Sequence, residues 1–200
     1  MEFAICVSLL ATLAFGTFEF GWAWKQRVSL QAITRSSGRI ASNLGNAPFT
    51  DREALRTIIE ASSALPGGVS RIRSVVIYKA TCTTCTAPYG RPAQVDPLCD
   101  PATSIPPNPP TSGVAGKCNV YFPSGGYFTT AVMSSATTWG TGTTTSLDYR
   151  WNPTTRVTST GGTGPDWVGI RINYTHRMIV GMFGSTIAMS DDMVFRNEPT

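Results

Sequence analysis

The first stretch of the chain is apolar on all sides. From Phe3 to Trp24 the sequence contains one charged residue, Glu19. A helix over this stretch, rising about 1.5 Å per residue, is long enough to cross a hydrocarbon core of about 30 Å. The alternative is the core helix of a soluble protein, but such helices rarely lack a polar face over this length. The pattern therefore predicts a transmembrane segment over residues 1–24.

The far end of this segment is aromatic and then basic. Four aromatic side chains and two cations follow one another there: Phe18, Phe20, Trp22, Trp24, Lys25 and Arg27. This arrangement is typical of a membrane–water interface. A signal peptide is disfavoured, because no basic residue precedes the run and no small-residue cleavage site follows it. The positive-inside rule would place the following cations in the cytoplasm.

Helical periodicity continues after the apolar run. Residues 25–47 are predicted to extend the first helix, with a weak point at Gly38 and an end near Pro48. A second, shorter helix is predicted next, because Thr50 and Glu53 have the spacing of a capping box and an apolar periodic run follows.

The period then changes to that of β-strands. Residues 70–80 alternate and then run apolar, and residues 166–180 alternate most clearly, with every second side chain apolar. Further strands are predicted over 117–122, 126–134, 146–152 and 186–199. Asp191 and Asp192 are expected in a turn before the last strand. The fold class is therefore α+β: a long N-terminal transmembrane helix, a short helix and an antiparallel sheet domain over 48–200, with a Pro- and Cys-rich loop over 81–118.

Four of the five cysteines lie in or beside the proline-rich loop. They are Cys82, Cys85, Cys99 and Cys118, whereas Cys6 lies in the apolar run. An even set in a loop-rich region favours two disulfides and an oxidising compartment. A zinc site is the competing interpretation, but only one pair has close spacing. The disulfide interpretation places the domain outside the cytoplasm, against the count of basic residues.

No set of residues indicates catalysis. His176 is the only histidine, and no phosphate loop, nucleophile elbow or zinc-protease motif occurs. The net charge of +4 is spread along the chain without a basic stripe, which disfavours nucleic-acid binding. We therefore expect neither an enzyme nor a bound cofactor or metal.

Small residues form a ridge on the first helix. They recur at every fourth position: Ala4, Ser8, Thr12 and Gly16. Such a ridge permits close helix–helix approach in a membrane or a packed bundle. Two carboxylates, Glu2 and Glu19, bracket it about 25 Å apart. Each carboxylate either extends to the membrane–water interface on its own side or is neutralised by a partner chain. Intramembrane carboxylates are functional candidates by default.

Both ends of the chain resemble one family, the TadE-like proteins of tight-adherence pilus assembly. The resemblance rests on the N-terminal Glu2-Phe3-Ala4 segment, the closing Glu19-Phe20-Gly21, residues 31–42, the strand sequence of residues 172–177 and the ending Met193–Pro199. Residues 80–165 match nothing in the family beyond being rich in Cys, Pro and Thr.

This resemblance implies a pilin-like fold and a minor pilin or pseudopilin. In the family, a short basic leader is removed just upstream of the Glu-Phe segment. The chain starts at Met1, so the resemblance implies a start further upstream or a truncated sequence. It also implies that Glu2 pairs with the amine of a neighbouring subunit, that Phe3 belongs to the assembly segment, and that the domain is periplasmic or extracellular. Expected partners are other pilin-like subunits, the assembly machinery and the bacterial inner or cell membrane, crossed once.

A membrane-anchored adhesin or sugar-binding module is the alternative. Four aromatic residues in Gly- and Thr-rich surroundings would serve it if they are exposed: Tyr89, Tyr121, Tyr127 and Trp139. In that case the first helix is only an anchor, and exchanging residues 1–25 leaves binding intact.

Overall fold

The computed structural model describes residues 2–80, 97–99, 112–159, 164–179 and 184–198. Over these ranges the chain forms a long N-terminal helix, shorter helices and a five-stranded antiparallel sheet, which confirms the predicted α+β class. Cys82, Cys85 and Tyr89 lie outside the described residues, so the predictions made for them stay predictions. The boundaries predicted at residues 24 and 47 also stay predictions.

Helix α1 spans Glu2–Leu44 without a break. Its first half exposes large apolar side chains, among them Phe3 at 82% and Phe20 at 70%. Its second half buries Leu30, Ile33 and Ala41 against the rest of the protein. The helix is long and apolar enough to cross a membrane, and only 6% of its most apolar window, an 18-residue stretch, is buried. Exposure of that window is the reverse of what a soluble core helix requires.

Helix α2 spans Thr50–Ala61 and packs on α1. The predicted capping box is wrong, because Phe49 is the N-cap residue and no side chain caps the helix. The Thr50 hydroxyl instead donates to the Ala47 carbonyl at 2.8 Å, and Glu53 pairs with Arg52 at 2.7 Å. Thr50 thus hydrogen-bonds back to the turn before α2. The Asp51 carboxylate does not cap the helix and forms a buried ion pair instead.

The sheet has the strand order β2-β3-β1-β4-β5, with every neighbouring pair antiparallel. The strands are β1 (Ile72–Lys79), β2 (Ser112–Val114), β3 (Cys118–Tyr121), β4 (Trp167–Arg177) and β5 (Thr186–Arg196). The central strand β1 places Val75 opposite Tyr121 on one side and Ile172 on the other. The strand predicted over residues 166–180 is confirmed as β4.

Both faces of the central strand are buried. Val75 and Ile77 face the core that α1 and α2 cover, where Leu55 and Ile58 of α2 are fully buried. Val76 and Tyr78 face a second, smaller cluster. Cys99 joins Cys118 in a disulfide inside that cluster. Two of the four cysteines of the proposed zinc site are therefore oxidised to each other, and the disulfide interpretation holds for this pair.

Two predicted strands are wrong. Within residues 126–134 the chain forms a short helix, α3 (Thr130–Ser134), and within 146–152 it forms a 3-10 turn, Tyr149–Trp151. Thr129 caps α3 by accepting the Val132 N–H at 3.4 Å. The apolar side chains of these two segments enter the core from loops. Their positions therefore do not alternate along the sequence as those of a strand do. Other 3-10 turns are Ser62–Ala64, Gly68–Arg71, Pro97–Cys99, Pro123–Gly125 and Pro153–Thr155.

The expected turn at Asp191 and Asp192 is also wrong. Both residues lie inside β5, paired with Ile172 and Arg171 of β4. Asp192 points to the second cluster, where it lies 3.3 Å from the Tyr78 hydroxyl that donates to it. Asp191 points to α1. Two adjacent carboxylates are compatible with a strand because they emerge on opposite faces.

Candidate functional site

The hairpin of β4 and β5 lies along helix α1. The helix from Glu19 to Ser42 measures about 35 Å at a rise of about 1.5 Å per residue. Each hairpin strand has 11 residues, which is also about 35 Å. Contacts occur from the hairpin turn near Glu19 to the end of β5 near Ser42. The junction of α1 and the hairpin is therefore the surface that joins the apolar helix to the domain.

Glu19 closes the end of this junction nearest the N-terminus. Its carboxylate oxygen Oε1 accepts the backbone N–H of Ile179 at 2.6 Å. Glu19 is only 3% exposed, although Phe18 and Phe20 on either side of it are largely exposed. The sequence suggested either placement at the interface or a partner from another chain. The structure gives Glu19 a partner within its own chain.

Gln26, two turns further along α1, forms the second polar contact. Its Oε1 lies 2.7 Å from His176 Nδ1 and 3.3 Å from the Tyr174 hydroxyl. Because an amide oxygen only accepts, the His176 ring donates through Nδ1. Burial lowers the pKa of His176, and the nearby Glu19 carboxylate partly opposes that shift. His176 is therefore a buried contact residue at the junction, hydrogen-bonded to Gln26.

The helix and the hairpin are in close contact at Gly38. A Cβ atom built there would lie 2.2 Å from Cε2 of Phe195 in β5, so the ring occupies the space that a side chain would need. Below it, the Ser42 hydroxyl donates to the Arg196 carbonyl at 2.5 Å, and the Glu198 N–H donates to the Ser42 carbonyl at 3.2 Å. Gly38 is thus a packing position and does not interrupt α1.

Asp191 faces the same surface of α1. Burial raises its pKa, while a hydrogen bond from Thr34 and the charges of Arg27 and Arg35 lower it in part. The adjacent Asp192 adds a further increase. The middle of the junction therefore combines a partly desolvated carboxylate on β5 with cations on α1.

A second polar cluster holds α2 to strand β3, on the side of β1 away from the hairpin. Arg156 and Asp51 form an ion pair at 2.6 Å with both side chains fully buried. Asp51 also accepts the Tyr121 hydroxyl and the Asn119 amide, each at 2.8 Å. Arg156 stacks on the Trp151 ring at 4.1 Å. Such a network fixes geometry and is costly to break on one side only.

Asp148 lies close to this ion pair. It accepts the Gly140 N–H at 2.9 Å and a short hydrogen bond from the Ser146 hydroxyl. Burial, followed by the charge of Asp51, raises its pKa to about 6. The same surroundings raise the pKa of Tyr121 well above its ordinary value. The cluster is closed by side chains on all sides, which suits a structural role.

The predicted ridge lies on the exposed half of α1. The Ser8 and Thr12 hydroxyls donate to carbonyls of their own helix at 2.8 and 2.7 Å. Thr12 and Gly16 also line an apolar groove of about 620 Å³, whose other wall is Met178 and Ile187. Glu2 and Ala4 lie within α1, but their side chains are outside the description. The ridge is therefore available to lipid or to a neighbouring helix.

The three aromatic residues suggested for ligand binding that lie in the described ranges do not form a surface. Tyr121, Tyr127 and Trp139 are buried, each with at most 1% of its surface exposed. Tyr121 and Tyr127 meet edge to face with ring centroids 5.6 Å apart, and Trp139 lies 5.8 Å from Tyr121. They are core residues. Across the described ranges, no group of three or more His, Cys, Asp or Glu side chains is placed to hold a metal ion.

Comparisons with known proteins bear on the N-terminal helix. The family model described as TadE-like protein matches residues 1–39. Neither the curated proteins nor the solved structures gave a match. The matched range covers the exposed apolar half of α1, Glu19 and the junction as far as Gly38. The predicted resemblance to the TadE-like family is confirmed over residues 1–39.

Proposed function

We propose that this chain is a minor pilin or pseudopilin of a tight-adherence pilus system, and that it packs through α1. The observation that carries the proposal is that the family match and the exposed apolar helix fall on the same residues. The TadE-like match covers residues 1–39, and the same range contains the apolar helix that the domain leaves exposed. An exposed apolar helix of this length requires lipid or other helices around it.

The proposed location is a single membrane crossing with the domain on the extracytoplasmic side. The disulfide between Cys99 and Cys118 supports an oxidising compartment. The exposed Phe18, Phe20 and Trp24 support a membrane boundary close to Glu19. Beyond that boundary α1 is covered by the hairpin, so the domain begins where the membrane ends.

The proposed role is structural and not catalytic. The ridge residues have hydroxyls satisfied by their own helix, so a neighbouring helix can approach Ser8 and Thr12 without leaving polar groups unpaired. Glu2 would neutralise the terminal amine of the next subunit. Glu19 takes no part in that pairing, because it binds Ile179 of its own chain.

The proposal is tested by pilus assembly in cells that carry only altered copies of the chain. Glu2→Ala is expected to abolish incorporation into pili while the protein remains in the membrane fraction. Ser8→Leu is expected to reduce incorporation by blocking close approach, whereas the adjacent Val7→Leu, off the ridge, is the matched control. Normal pilus number and incorporation with Glu2→Ala would refute the role of Glu2.

Exchange of residues 1–25 for an unrelated single-pass anchor separates the pilin from an adhesin. A pilin loses incorporation because its packing surface is gone. A binding module retains surface display and adhesion, and that outcome would overturn the proposed function.

A further inference from the structure

A groove lined by two arginines opens beside α1, immediately past Glu19. It has a volume of about 440 Å³ and is lined by Trp22 and Gln26 of α1, Arg71, and Tyr174, Arg177 and Ile179 of the hairpin. We call it the Arg71–Arg177 groove. It is distinct from the apolar groove on the other side of the hairpin turn, which Glu19 lines.

The two arginines are held at the groove without acidic partners. Neither Arg71 nor Arg177 forms an ion pair with any carboxylate in the part of the chain that the structure describes. Arg71 ends the turn Gly68–Arg71 and packs across Gly67, where a Cβ would lie 2.6 Å from Arg71 Cγ. Gly67 has φ +83, which favours glycine. The backbone therefore leaves room for the Arg71 stem and directs it along the groove.

The groove lies at the level of the proposed membrane boundary. Its lower wall is Ile179, whose N–H is held by Glu19 at 2.6 Å. Its helix wall begins at Trp22, which also carries Lys25 at 5.3 Å from its ring. Phe18 and Phe20 are exposed just before it. Aromatic residues followed by cations mark the depth of lipid headgroups.

We propose that the Arg71–Arg177 groove binds the phosphate of an anionic phospholipid. Guanidinium groups pair with phosphate through two parallel hydrogen bonds. Both arginines line this groove, and none of its lining residues in the described ranges is a carboxylate. Trp22 and Ile179 supply the apolar wall against which the glycerol and the start of an acyl chain would lie. The inference rests on the proposed membrane anchoring, since only an anchored chain presents this groove to headgroups.

The test uses the purified full chain in detergent with phosphatidylglycerol, phosphatidylcholine or inorganic phosphate as the probe. Native mass spectrometry measures the lipid retained on the protein. We expect retention of phosphatidylglycerol over phosphatidylcholine, and retention about tenfold to thirtyfold weaker in the double variant Arg71→Gln with Arg177→Gln. The control is Arg39→Gln with Arg73→Gln, which removes the same charge from exposed positions outside the groove.

Each outcome has one meaning. Equal loss in both double variants would overturn the site in favour of a general charge effect. If millimolar inorganic phosphate displaces phosphatidylglycerol and the lipid binds no more tightly than phosphate alone, the lipid is overturned as the source of the phosphate. Flotation of every variant with phosphatidylcholine vesicles is measured first. Failure of the unaltered chain to float refutes the membrane anchoring, whereas floating without lipid selectivity refutes only the groove.

A folding defect is recognised separately. Arg71→Lys keeps the charge and the stem that packs on Gly67 but loses the planar fork. It is expected to retain the unfolding temperature of the unaltered chain and to bind phosphatidylglycerol less tightly. Full lipid retention by Arg71→Lys would contradict recognition by paired hydrogen bonds.

Discussion

The carboxylate of Glu19 accepts the backbone N–H of Ile179, at 2.6 Å, across 160 positions of the sequence. The bond joins the point where α1 leaves the domain to the turn of the β4–β5 hairpin. A carboxylate in an apolar helix thus holds a backbone N–H at the hairpin.

The contact between Gly38 and Phe195 predicts opposite effects for two glycine substitutions in α1. Gly38→Ala is expected to destabilise the protein by about 1–3 kcal/mol, because the new methyl group overlaps the Phe195 ring. Gly21→Ala meets no atom within 4 Å, so it is expected to be neutral or to stabilise by up to about 1 kcal/mol through helix propensity.

The measurement is the free energy of unfolding of both variants in detergent. Combining Gly38→Ala with Phe195→Leu should recover part of the loss, because the smaller side chain yields space. Equal stabilities for Gly38→Ala and Gly21→Ala would rule out close packing at this position.

The buried pair of Asp51 and Arg156 predicts strong non-additivity. Asp51→Asn or Arg156→Met alone is expected to cost about 3–5 kcal/mol, because each leaves an uncompensated buried group. The double variant should cost clearly less than the sum of the two, as a double-mutant cycle of unfolding free energies measures. Arg56→Met, in an exposed pair with Glu60, is the control and should change little. Additive costs would mean that the pair does not interact.

The raised pKa of Asp148 predicts how stability changes with pH. The folded-state pKa of about 6 exceeds the ordinary value of 3.8, so the native state binds the proton more tightly. The stabilising contribution is complete below the unfolded pKa and is lost as the pH rises through the folded pKa.

Asp148→Asn does not titrate, so comparison with it isolates this contribution. From about pH 4 to about pH 7, the unaltered chain should lose on the order of 2 kcal/mol relative to the variant. Unfolding temperatures across this range measure the difference. A constant difference at every pH would show that the carboxyl group titrates alike in the folded and unfolded chains.

The elements with a regular period could be predicted from the sequence. The long apolar helix follows from a run with one charge, and β4 follows from alternation of Ile170, Ile172 and Tyr174 with smaller or polar residues. The α+β class follows from the change between these two periods. These features depend on neighbours along the chain, which the sequence displays directly.

The contacts that make the junction could not be predicted in this way. Glu19 meets Ile179, Gln26 meets His176 and Gly38 meets Phe195, and no local pattern specifies such distant pairs. The segments around Tyr127 and Trp151 are not the predicted strands, because these aromatic side chains are buried from loops and a short turn, where burial does not alternate along the sequence. The ion pair of Asp51 with Arg156 could not be predicted either, because the two residues lie far apart along the chain.

Amide hydrogen exchange at Ile179 tests most directly whether Glu19 ties the domain to the apolar helix, at the proposed membrane boundary. The full chain is measured in phosphatidylcholine nanodiscs, with Ile172 in the middle of β4 as the internal reference. Glu19→Leu removes the acceptor, and exchange at Ile179 should accelerate by about fivefold to a hundredfold. Glu19→Gln keeps an acceptor oxygen and should stay within about threefold of the unaltered chain. Unchanged exchange at Ile179 in Glu19→Leu would contradict the account.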